Sequence, residues 1–241
     1  MNKKMMMASA LVVLSVSAGA EAAVITQWNF NSNPADSATG TGTGAPSIGS
    51  GSASLVGGTT ATFASGDASG GSSDPATGDD SGWNTTSYAA QGAGNKTRGT
   101  RYLVSTVGFN NIQVSYDLRH SNTSSKYEQV QYTTDGSTWT DFALFSGAAG
   151  DTWFNGRSVD FSSIAGVANN ANFGFRVLAA FAPSTSAYAA SSPTGTYGST
   201  GTWRFDMVTV SGTALAAVPV PGAVWLFGSA LLGFLGVRRK A

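Results

Sequence analysis

The stretch YEQVQYTTDGSTWTDF, residues Tyr127–Phe142, contains two strand-like runs separated by a turn. Val130 and Tyr132 alternate with polar residues in the first run, and Trp139–Phe142 forms the second. The Asp135-Gly136 pair between them is a sequence that tight β-turns favour, because both residues tolerate the backbone angles that such turns require. The stretch therefore predicts a β-hairpin.

Other segments of the chain show the same strand-like pattern. Ile112–His120 alternates apolar and polar residues with the period of two that a half-buried strand requires. The remaining predicted strands are Val24–Phe30, Asn172–Phe181 and Thr202–Val210. In Thr202–Val210 the apolar residues occupy every second position up to Met207, and after it they shift by one position. This change of phase predicts a β-bulge or a strand covered on both faces.

Long Gly-, Ser- and Thr-rich segments connect these strands, chiefly Ser32–Asn95 and Pro183–Gly201. Their composition predicts loops and irregular edges, although Ser52–Ser65 has a strand-like pattern of its own. Several short strands without alternating helices predict an all-β fold, an antiparallel β-sandwich. We expect its jelly-roll (lectin-like) form, with the first and last strands as neighbours.

The N-terminus has the three regions of a secretory signal peptide. A cationic start is followed by the apolar run Met5–Val16 and by the small residues Ser17–Ala23. Cleavage is expected after Ala22, at the Ala20-Glu21-Ala22 site, with Ala23 as the alternative. A buried N-terminal helix is the competing interpretation. The chain is thus predicted to consist of a signal peptide helix (1–22), a β-sandwich domain (23–213) and a sorting segment (214–241).

Composition limits the function classes. The whole chain balances 13 Lys and Arg residues against 13 Asp and Glu residues, but residues 24–217 alone contain 8 basic and 12 acidic ones. Only Lys96, Arg98 and Arg101 form a local basic group, which argues against a nucleic-acid partner. The chain has no cysteine, so burial and hydrogen bonds must hold the exported fold without disulfides.

The C-terminal stretch VPVPGAVWLFGSALLGFLGVRRKA, residues Val218–Ala241, differs from the rest of the chain. A helix over Gly222–Val237 would measure about 24 Å at ~1.5 Å per residue, against about 30 Å for a bilayer core. Three interpretations compete: a core helix, which would be apolar all round, a permanent but short membrane anchor, and a processed signal. The prolines favour the third, because they keep an extended stretch in front of the helix.

The order Val218-Pro219-Val220-Pro221, an apolar segment and Arg238-Arg239-Lys240 resembles the PEP-CTERM sorting signal in its VPxP variant. Val220 stands where the commonest form has Glu. The resemblance implies export by the Sec machinery, transient anchoring by a transmembrane helix in the inner membrane, and removal of the tail by an exosortase. It also implies final placement at the cell surface or in the exopolysaccharide (biofilm) matrix of a Gram-negative bacterium. By the positive-inside tendency, the three terminal cations would stay in the cytoplasm.

A second resemblance covers roughly Gln27–Thr213. The hairpin VQYTTDGSTWTDF, then VDFSSIAGVANNANFGFRV and finally WRFDMVTVSG are similar to the jelly-roll sandwich of many bacterial exported and PEP-CTERM proteins. Lectin-like and carbohydrate-binding modules share this architecture, so the resemblance implies little about activity.

Catalytic residues are hard to assemble from this composition. His120 is the only histidine, and its place at the end of a predicted strand favours a loop or surface position. One histidine and no cysteine argue against a zinc enzyme, and no Gly-x-Ser-x-Gly motif occurs. Carboxylate pairs catalyse glycoside hydrolysis, but spacing selects no pair among the candidates, which are Asp117, Glu128, Asp141, Asp151, Asp160 and Asp206. Asp117 and Glu128 fit solvated strand faces, and Asp206 fits a strand end.

Two candidate binding features remain. Asp74, Asp79 and Asp80 lie close together in one predicted loop, where their oxygens suit a structural Ca²⁺; a solvated acidic loop is the alternative interpretation. Four loop aromatics would supply a platform for stacking sugar rings if they are exposed, and these are Trp83, Tyr88, Trp153 and Tyr197. No other cofactor is expected.

Together these observations predict a non-catalytic exported protein that acts as a structural or adhesive component of the cell surface or matrix, with exopolysaccharide as its expected partner. A carbohydrate-binding module is the alternative, and an extracellular hydrolase is the third hypothesis.

Overall fold

The computed structural model of this chain describes residues 21–76 and 78–216. Within them lie a short 3-10 turn at Ala68–Gly70 and twelve β-strands. The strands are β1 (Ala22–Trp28), β2 (Ile48–Gly49), β3 (Ser52–Val56), β4 (Thr60–Ser65), β5 (Ser81–Thr86), β6 (Gly99–Leu103), β7 (Phe109–His120), β8 (Tyr127–Thr133), β9 (Thr140–Ser146), β10 (Thr152–Asp160), β11 (Gly174–Ala180) and β12 (Trp203–Ala214).

The strands form two antiparallel sheets, which confirms the predicted antiparallel β-sandwich. The five-stranded sheet has the order β3-β6-β11-β8-β9. The seven-stranded sheet has the order β10-β7-β12-β1-β2, and its remaining strands, β4 and β5, pair with each other while β5 also pairs with β12. The predicted neighbourhood of the first and last strands is confirmed, because β1 pairs with β12 from Ala22↔Thr213 to Trp28↔Val208.

Strand β12 changes partners halfway along its length. Its first residues, Trp203–Phe205, pair with β5, and its later residues pair with β1. Met207 lies between these halves with a φ of 46°, and the register against β7 shifts between Asp206 and Thr209. The bulge predicted from the apolar phase change is therefore confirmed, and it reverses the sides to which later residues point.

The predicted hairpin is also confirmed, as β8 and β9 pair from Tyr127↔Ser146 to Tyr132↔Thr140. Asp135 Oδ1 accepts hydrogen bonds from the backbone N–H groups of Ser137 and Thr138, at 2.7 and 2.6 Å, and Gly136 takes the turn's positive φ of 78°. The Gly-rich stretch Ser32–Asn95 is more regular than a set of loops, because it contributes four strands, β2–β5.

Aromatic side chains fill the space between the sheets. Tyr102 and Phe175, from adjacent strands of the five-stranded sheet, stack with ring centroids 4.8 Å apart. Trp28 of the seven-stranded sheet packs 5.2 Å from the Tyr102 ring, and Trp203 and Phe205 of β12 are equally buried. The sandwich is held by apolar burial and aromatic contacts, as the absence of cysteine from the sequence requires.

The predicted signal helix (1–22) and transmembrane helix fall almost wholly outside the described residues. Ala22 is described and begins β1. In the part of the chain that the structure describes, no helix has the length and apolar character needed to cross a membrane.

Candidate functional sites on the two sheets

The loop from Gly66 to Asp80 covers part of the outer face of the seven-stranded sheet. Trp153 of β10 donates a hydrogen bond from Nε1 to the Ala68 carbonyl, at 2.7 Å. Asp117 of β7 accepts a hydrogen bond from the Ser73 backbone N–H, at 2.5 Å. These contacts hold the loop against two strands and place its acidic residues over the sheet.

Three carboxylates converge beneath this loop, and we call Asp74, Asp80 and Asp206 the acidic cluster. One oxygen of each lies within 4.8 Å of the others. Phe205 is part of the core, so Asp206, the next residue of β12, points to the outer face. Gly66 permits the close approach of Asp80, because a Cβ at that position would lie 1.9 Å from Asp80 Oδ1.

The acidic cluster contains two buried oxygens without a hydrogen-bond partner, Asp80 Oδ1 and Asp206 Oδ2. Asp80 is 1% exposed and Asp206 is 0% exposed. Burial raises the pKa of Asp206 to about 9, and the negative charge of Asp80 adds to this shift. Burial likewise raises the pKa of Asp80 to about 6. Two buried carboxylates side by side favour either a bound proton or a bound cation.

The donors of the acidic cluster fit a calcium ion. Every potential ligand atom of the cluster is a carboxylate oxygen, which Ca²⁺ prefers. Hydrogen bonds from neighbouring groups hold other oxygens of the cluster in place. Asp74 Oδ2 accepts a hydrogen bond from Asn31 Nδ2 at 2.9 Å, and Asp206 Oδ1 accepts one from the Met207 N–H at 2.7 Å.

The sequence grouped Asp74, Asp79 and Asp80, and the structure corrects that set. Asp79 lies outside the acidic cluster, because neighbouring residues of an extended segment point in opposite directions. Its Oδ1 instead accepts a hydrogen bond from the Asp36 backbone N–H, at 3.3 Å. The third member of the cluster is instead Asp206, which lies on β12. The sequence feature that could have indicated a buried Asp206 is its position in a strand predicted to be bulged or covered on both faces.

The outer face of the five-stranded sheet carries a row of polar side chains in register across all five strands. Its members are Ser54 of β3, Arg101 of β6, Arg176 of β11, Gln131 of β8 and Asp141 of β9, each paired with the next. We call this set the polar row. Core residues flank its members along each of the three central strands, so the row points away from the core.

Hydrogen bonds link most of the polar row. Arg101 Nε donates to Ser54 Oγ at 3.0 Å, Arg176 Nε donates to Gln131 Oε1, and Gln131 Nε2 donates to Asp141 Oδ1 at 2.6 Å. Lys96 forms an ion pair with Asp141 at the end of the row. The indole of Trp139 lies against Arg176, with the guanidinium carbon 4.5 Å from the ring centroid. This face therefore presents preoriented polar groups beside an aromatic ring.

The four loop aromatics, whose exposure the sequence left open, are buried in the structure. Trp83 is 8% exposed because it lies in β5 and stacks on Phe30, with ring centroids 5.4 Å apart. Tyr88 is 3% exposed, packs 5.0 Å from the Trp203 ring, and shares a 2.6 Å hydrogen bond with Thr85. Their faces are covered by protein and are closed to a sugar.

The other two rings are buried as well. Trp153, 8% exposed, lies under the loop that its Nε1 holds. Tyr197, also 8% exposed, stacks on Tyr188 with ring centroids 4.5 Å apart and donates a hydrogen bond to the Ala89 carbonyl. Tyr197 also lines a surface depression together with Gln91 and Lys126. The four residues are not brought together into one stacking platform.

His120 and Glu128, expected at the surface, are both completely buried. His120 Nδ1 lies 2.9 Å from the Ser125 carbonyl and donates a hydrogen bond to it, and its Nε2 lies 3.7 Å from Glu128 Oε1. Arg157 Nε forms an ion pair with Glu128 at 2.5 Å, and the Tyr116 hydroxyl donates to the other Glu128 oxygen. The sequence of β8 predicted only that Glu128 and Gln129 point to opposite faces of the sheet. Both faces are covered at this point, so both side chains are buried.

The residues of the predicted sorting signal lie outside the described residues, and these are Val218, Pro219, Val220, Pro221, Arg238, Arg239 and Lys240. Of the predicted cleavage residues, Ala20 also lies outside them, whereas Ala22 pairs with Thr213 at the start of β1.

No protein-family model matches the chain, and a search of curated proteins returns no match. Similar solved structures exist. The CBM22-1–GH10 modules of Clostridium thermocellum xylanase 10B, complexed with xylohexaose, match with 11% identity and a TM-score of 0.43, over 70% of this chain and 28% of that one. The CBM22-1–CBM22-2 tandem domain of Paenibacillus barcinonensis Xyn10C matches with 10% identity and a TM-score of 0.45, over 86% of this chain and 50% of that one.

The CBM22-1 xylan-binding domain of the same Paenibacillus barcinonensis enzyme matches with 9% identity and a TM-score of 0.41, over 84% of this chain and its own full length. The chain thus spans less than two thirds of the first two structures. These neighbours contain carbohydrate-binding modules, but likeness at this level of identity and TM-score carries no argument about the ligand of this chain.

Proposed function

We propose that this chain is a non-catalytic exported protein that binds a polysaccharide on the outer face of its five-stranded sheet. The observation that supports this best is the polar row, because it sets hydrogen-bonding groups at regular spacing across five strands beside Trp139. Strands are about 4.8 Å apart, so the row is about 19 Å long. A surface of that length suits an extended chain of sugars better than a small molecule.

The non-catalytic part of the proposal is supported by where the reactive side chains lie. His120 is buried and bonded to backbone, and Glu128 is enclosed with Arg157. Asp80 and Asp206 are a close carboxylate pair, but they are covered by a loop and by the sheet. Flanking a glycosidic bond requires two accessible carboxyl groups, so an extracellular hydrolase is the weaker hypothesis.

Binding is tested by titrating the full chain with a panel of soluble plant and bacterial polysaccharides in a calorimeter. Trp139→Ala should weaken binding of that polysaccharide by about fivefold, because a stacked aromatic ring contributes on the order of 1 kcal/mol. Val107→Ala, which removes an exposed apolar side chain in the loop between β6 and β7, is the matched control. A panel without any binder would refute the proposal.

We also propose that the acidic cluster holds a structural Ca²⁺. Its support is the pair of orphaned buried oxygens, Asp80 Oδ1 and Asp206 Oδ2, together with an all-oxygen donor set. The ion would join β12 to the loop Gly66–Asp80 and neutralise charge there. Calorimetric titration of EDTA-treated chain with CaCl₂ should give binding that Asp206→Asn abolishes, while Asp160→Asn, which changes an exposed acid on β10, should leave it intact.

For localisation we keep the proposal that the two ends direct export and exosortase sorting to the cell surface or matrix. Its support is the sequence: an N-terminal leader, the Val218–Pro221 motif and the terminal cations. In an exosortase-bearing Gram-negative host, Pro219→Ala combined with Pro221→Ala should leave the tail attached, which intact mass spectrometry detects. If the double variant has the mass and location expected from the unaltered chain, the sorting proposal is wrong. The jelly-roll form of the sandwich also remains a prediction.

A further inference from the structure

We infer that the polar row selects an acidic polysaccharide, one whose sugars carry carboxylate groups, and that Arg101 and Arg176 bind those carboxylates. This inference rests on the proposed polysaccharide-binding function and narrows it to one chemical class. It depends on the arrangement of charge on the outer face of the five-stranded sheet.

The two arginines lie directly opposite each other on β6 and β11. Like charges in such cross-strand pairs are destabilising. Burial, and to a smaller extent the charge of Arg101, lowers the pKa of Arg176. The repulsion between the two guanidinium groups raises the free energy of the protein without ligand. An anion placed between them would relieve this repulsion. Arginine is the side chain best shaped for this, because its planar fork donates two parallel hydrogen bonds to one carboxylate.

Both guanidinium groups have donors to spare. Among residues 21–76 and 78–216, Arg101 donates one side-chain hydrogen bond, to Ser54, and Arg176 donates one, to Gln131. Each bond uses only Nε, which leaves the terminal NH₂ groups without protein acceptors. Both side chains are partly exposed, so these groups are accessible from the outer face.

The nearby acid, Asp141, compensates the charge of the pair only in part. Asp141 is held by Lys96 and by Gln131, so the local set contains three positive groups and one negative group. This contrasts with residues 24–217 as a whole, which contain 8 basic and 12 acidic residues. A positive patch on an acidic body attracts an anionic ligand to one place and repels it elsewhere.

A uronate polymer fits this face better than a nucleic acid does. Nucleic-acid grooves require many clustered cations that follow closely spaced phosphates, and three cations on an acidic domain are too few. Carboxylates spaced along a sugar chain need only occasional arginines, and the sugar rings between them can contact Trp139, which lies against Arg176.

The test compares two polymers with the same backbone, polygalacturonate and its methyl-esterified form, titrated against the full chain in EDTA. Polygalacturonate should bind at least tenfold more tightly, and its affinity should fall as salt rises to 0.5 M. Arg101→Gln and Arg176→Gln should each reduce its affinity by roughly tenfold to a hundredfold, the range for a hydrogen bond to a charged group. Lys126→Gln, which removes a cation outside the row, should change it by less than about twofold.

Thermal unfolding of each variant checks that it is folded, and the comparison of the two polymers on the unaltered chain needs no variant at all. Equal binding of both polymers would overturn the inference while leaving the proposed polysaccharide-binding function standing. Binding of neither, with no other binder in the panel, would overturn both. If duplex DNA binds as tightly as polygalacturonate, the face is a general polyanion surface and the inference is wrong.

Discussion

Glu128 and the acidic cluster both contain buried carboxylates, but the fold surrounds these carboxylates with different groups. Glu128 points between the two sheets and meets positive and polar partners: Arg157 at 2.5 Å and the Tyr116 hydroxyl at 3.2 Å. The guanidinium of Arg157 also packs against the rings of Phe145 and Phe154. In the acidic cluster, by contrast, Asp80 and Asp206 face each other and Asp74, and no salt bridge among the described residues reaches them.

The difference separates a structural charge from a binding site. A buried charge is stable in a fold when other groups of the same fold compensate it. Glu128 meets that condition within the protein and requires no ligand. The acidic cluster meets it only with a proton or a cation, and that need is the property expected of a metal site.

The largest effect is expected at Glu128. Glu128→Gln keeps the shape of the side chain but removes its charge, which leaves Arg157 largely buried without an anion. Breaking a buried ion pair in this way costs about 3–5 kcal/mol of unfolding free energy, measurable by urea denaturation. Asp160→Asn, the exposed control, should change it by less than about 0.5 kcal/mol. A loss below about 1 kcal/mol at Glu128 would mean that the ion pair contributes little.

Calcium should have the next largest effect, and only through the acidic cluster. At a free Ca²⁺ concentration a hundred times the Kd, binding to the folded state alone raises the unfolding free energy by about 2.7 kcal/mol. Asp206→Asn should lose this response, and Glu128→Gln should keep it. Calcium stabilisation that persists in Asp206→Asn would place the ion elsewhere.

The pH dependence of stability in EDTA should distinguish the two groups as well. The folded-state pKa values of Asp206, about 9, and Asp80, about 6, are raised above the ordinary value of 3.8. The folded state therefore binds more protons than the unfolded state, so this contribution to stability is complete below pH 4 and is lost as pH rises towards 9.

From pH 5 to pH 8 the unfolding free energy should fall steadily through these groups, because Asp206 stays protonated in the folded state while it is ionised in the unfolded state. The decrease should be smaller in Asp206→Asn and in saturating Ca²⁺, when each is compared with the unaltered chain in EDTA by urea denaturation at each pH. An identical decrease in all three would show that other residues cause it.

Local patterns were enough to predict much of the fold. The period-two alternation, the Asp135-Gly136 turn and the phase change after Met207 identified the hairpin, the last strand and its bulge. Sites that depend on pairing between distant strands were not predictable in this way. Arg101 and Arg176 are 75 positions apart in the sequence, and only the register of β6 against β11 brings them together.

Burial of the loop aromatics could not be decided from the sequence for a related reason. Glycine-rich composition around Trp83 and Tyr197 indicated loops, but composition does not say which loops pack against each other. The hydrogen bond from the Tyr197 hydroxyl to the Ala89 carbonyl joins segments 108 positions apart, and Trp83 belongs to a strand that pairs with β12. The same limit explains why Asp206 was not grouped with Asp74 and Asp80.

The smallest effect is expected where a charge pair is exposed. The side chains of Lys96 and Asp141 are 31% and 48% exposed, so water already solvates both charges. Asp141→Asn should therefore lower the unfolding free energy by about 0.2–1 kcal/mol, and 0.5 M NaCl should remove most of that difference. Because the substitution also removes the only acid of the polar row, it should strengthen polygalacturonate binding while barely changing stability. A stability loss as large as that of Glu128→Gln would contradict the view that burial, and not ion pairing itself, decides what a carboxylate contributes here.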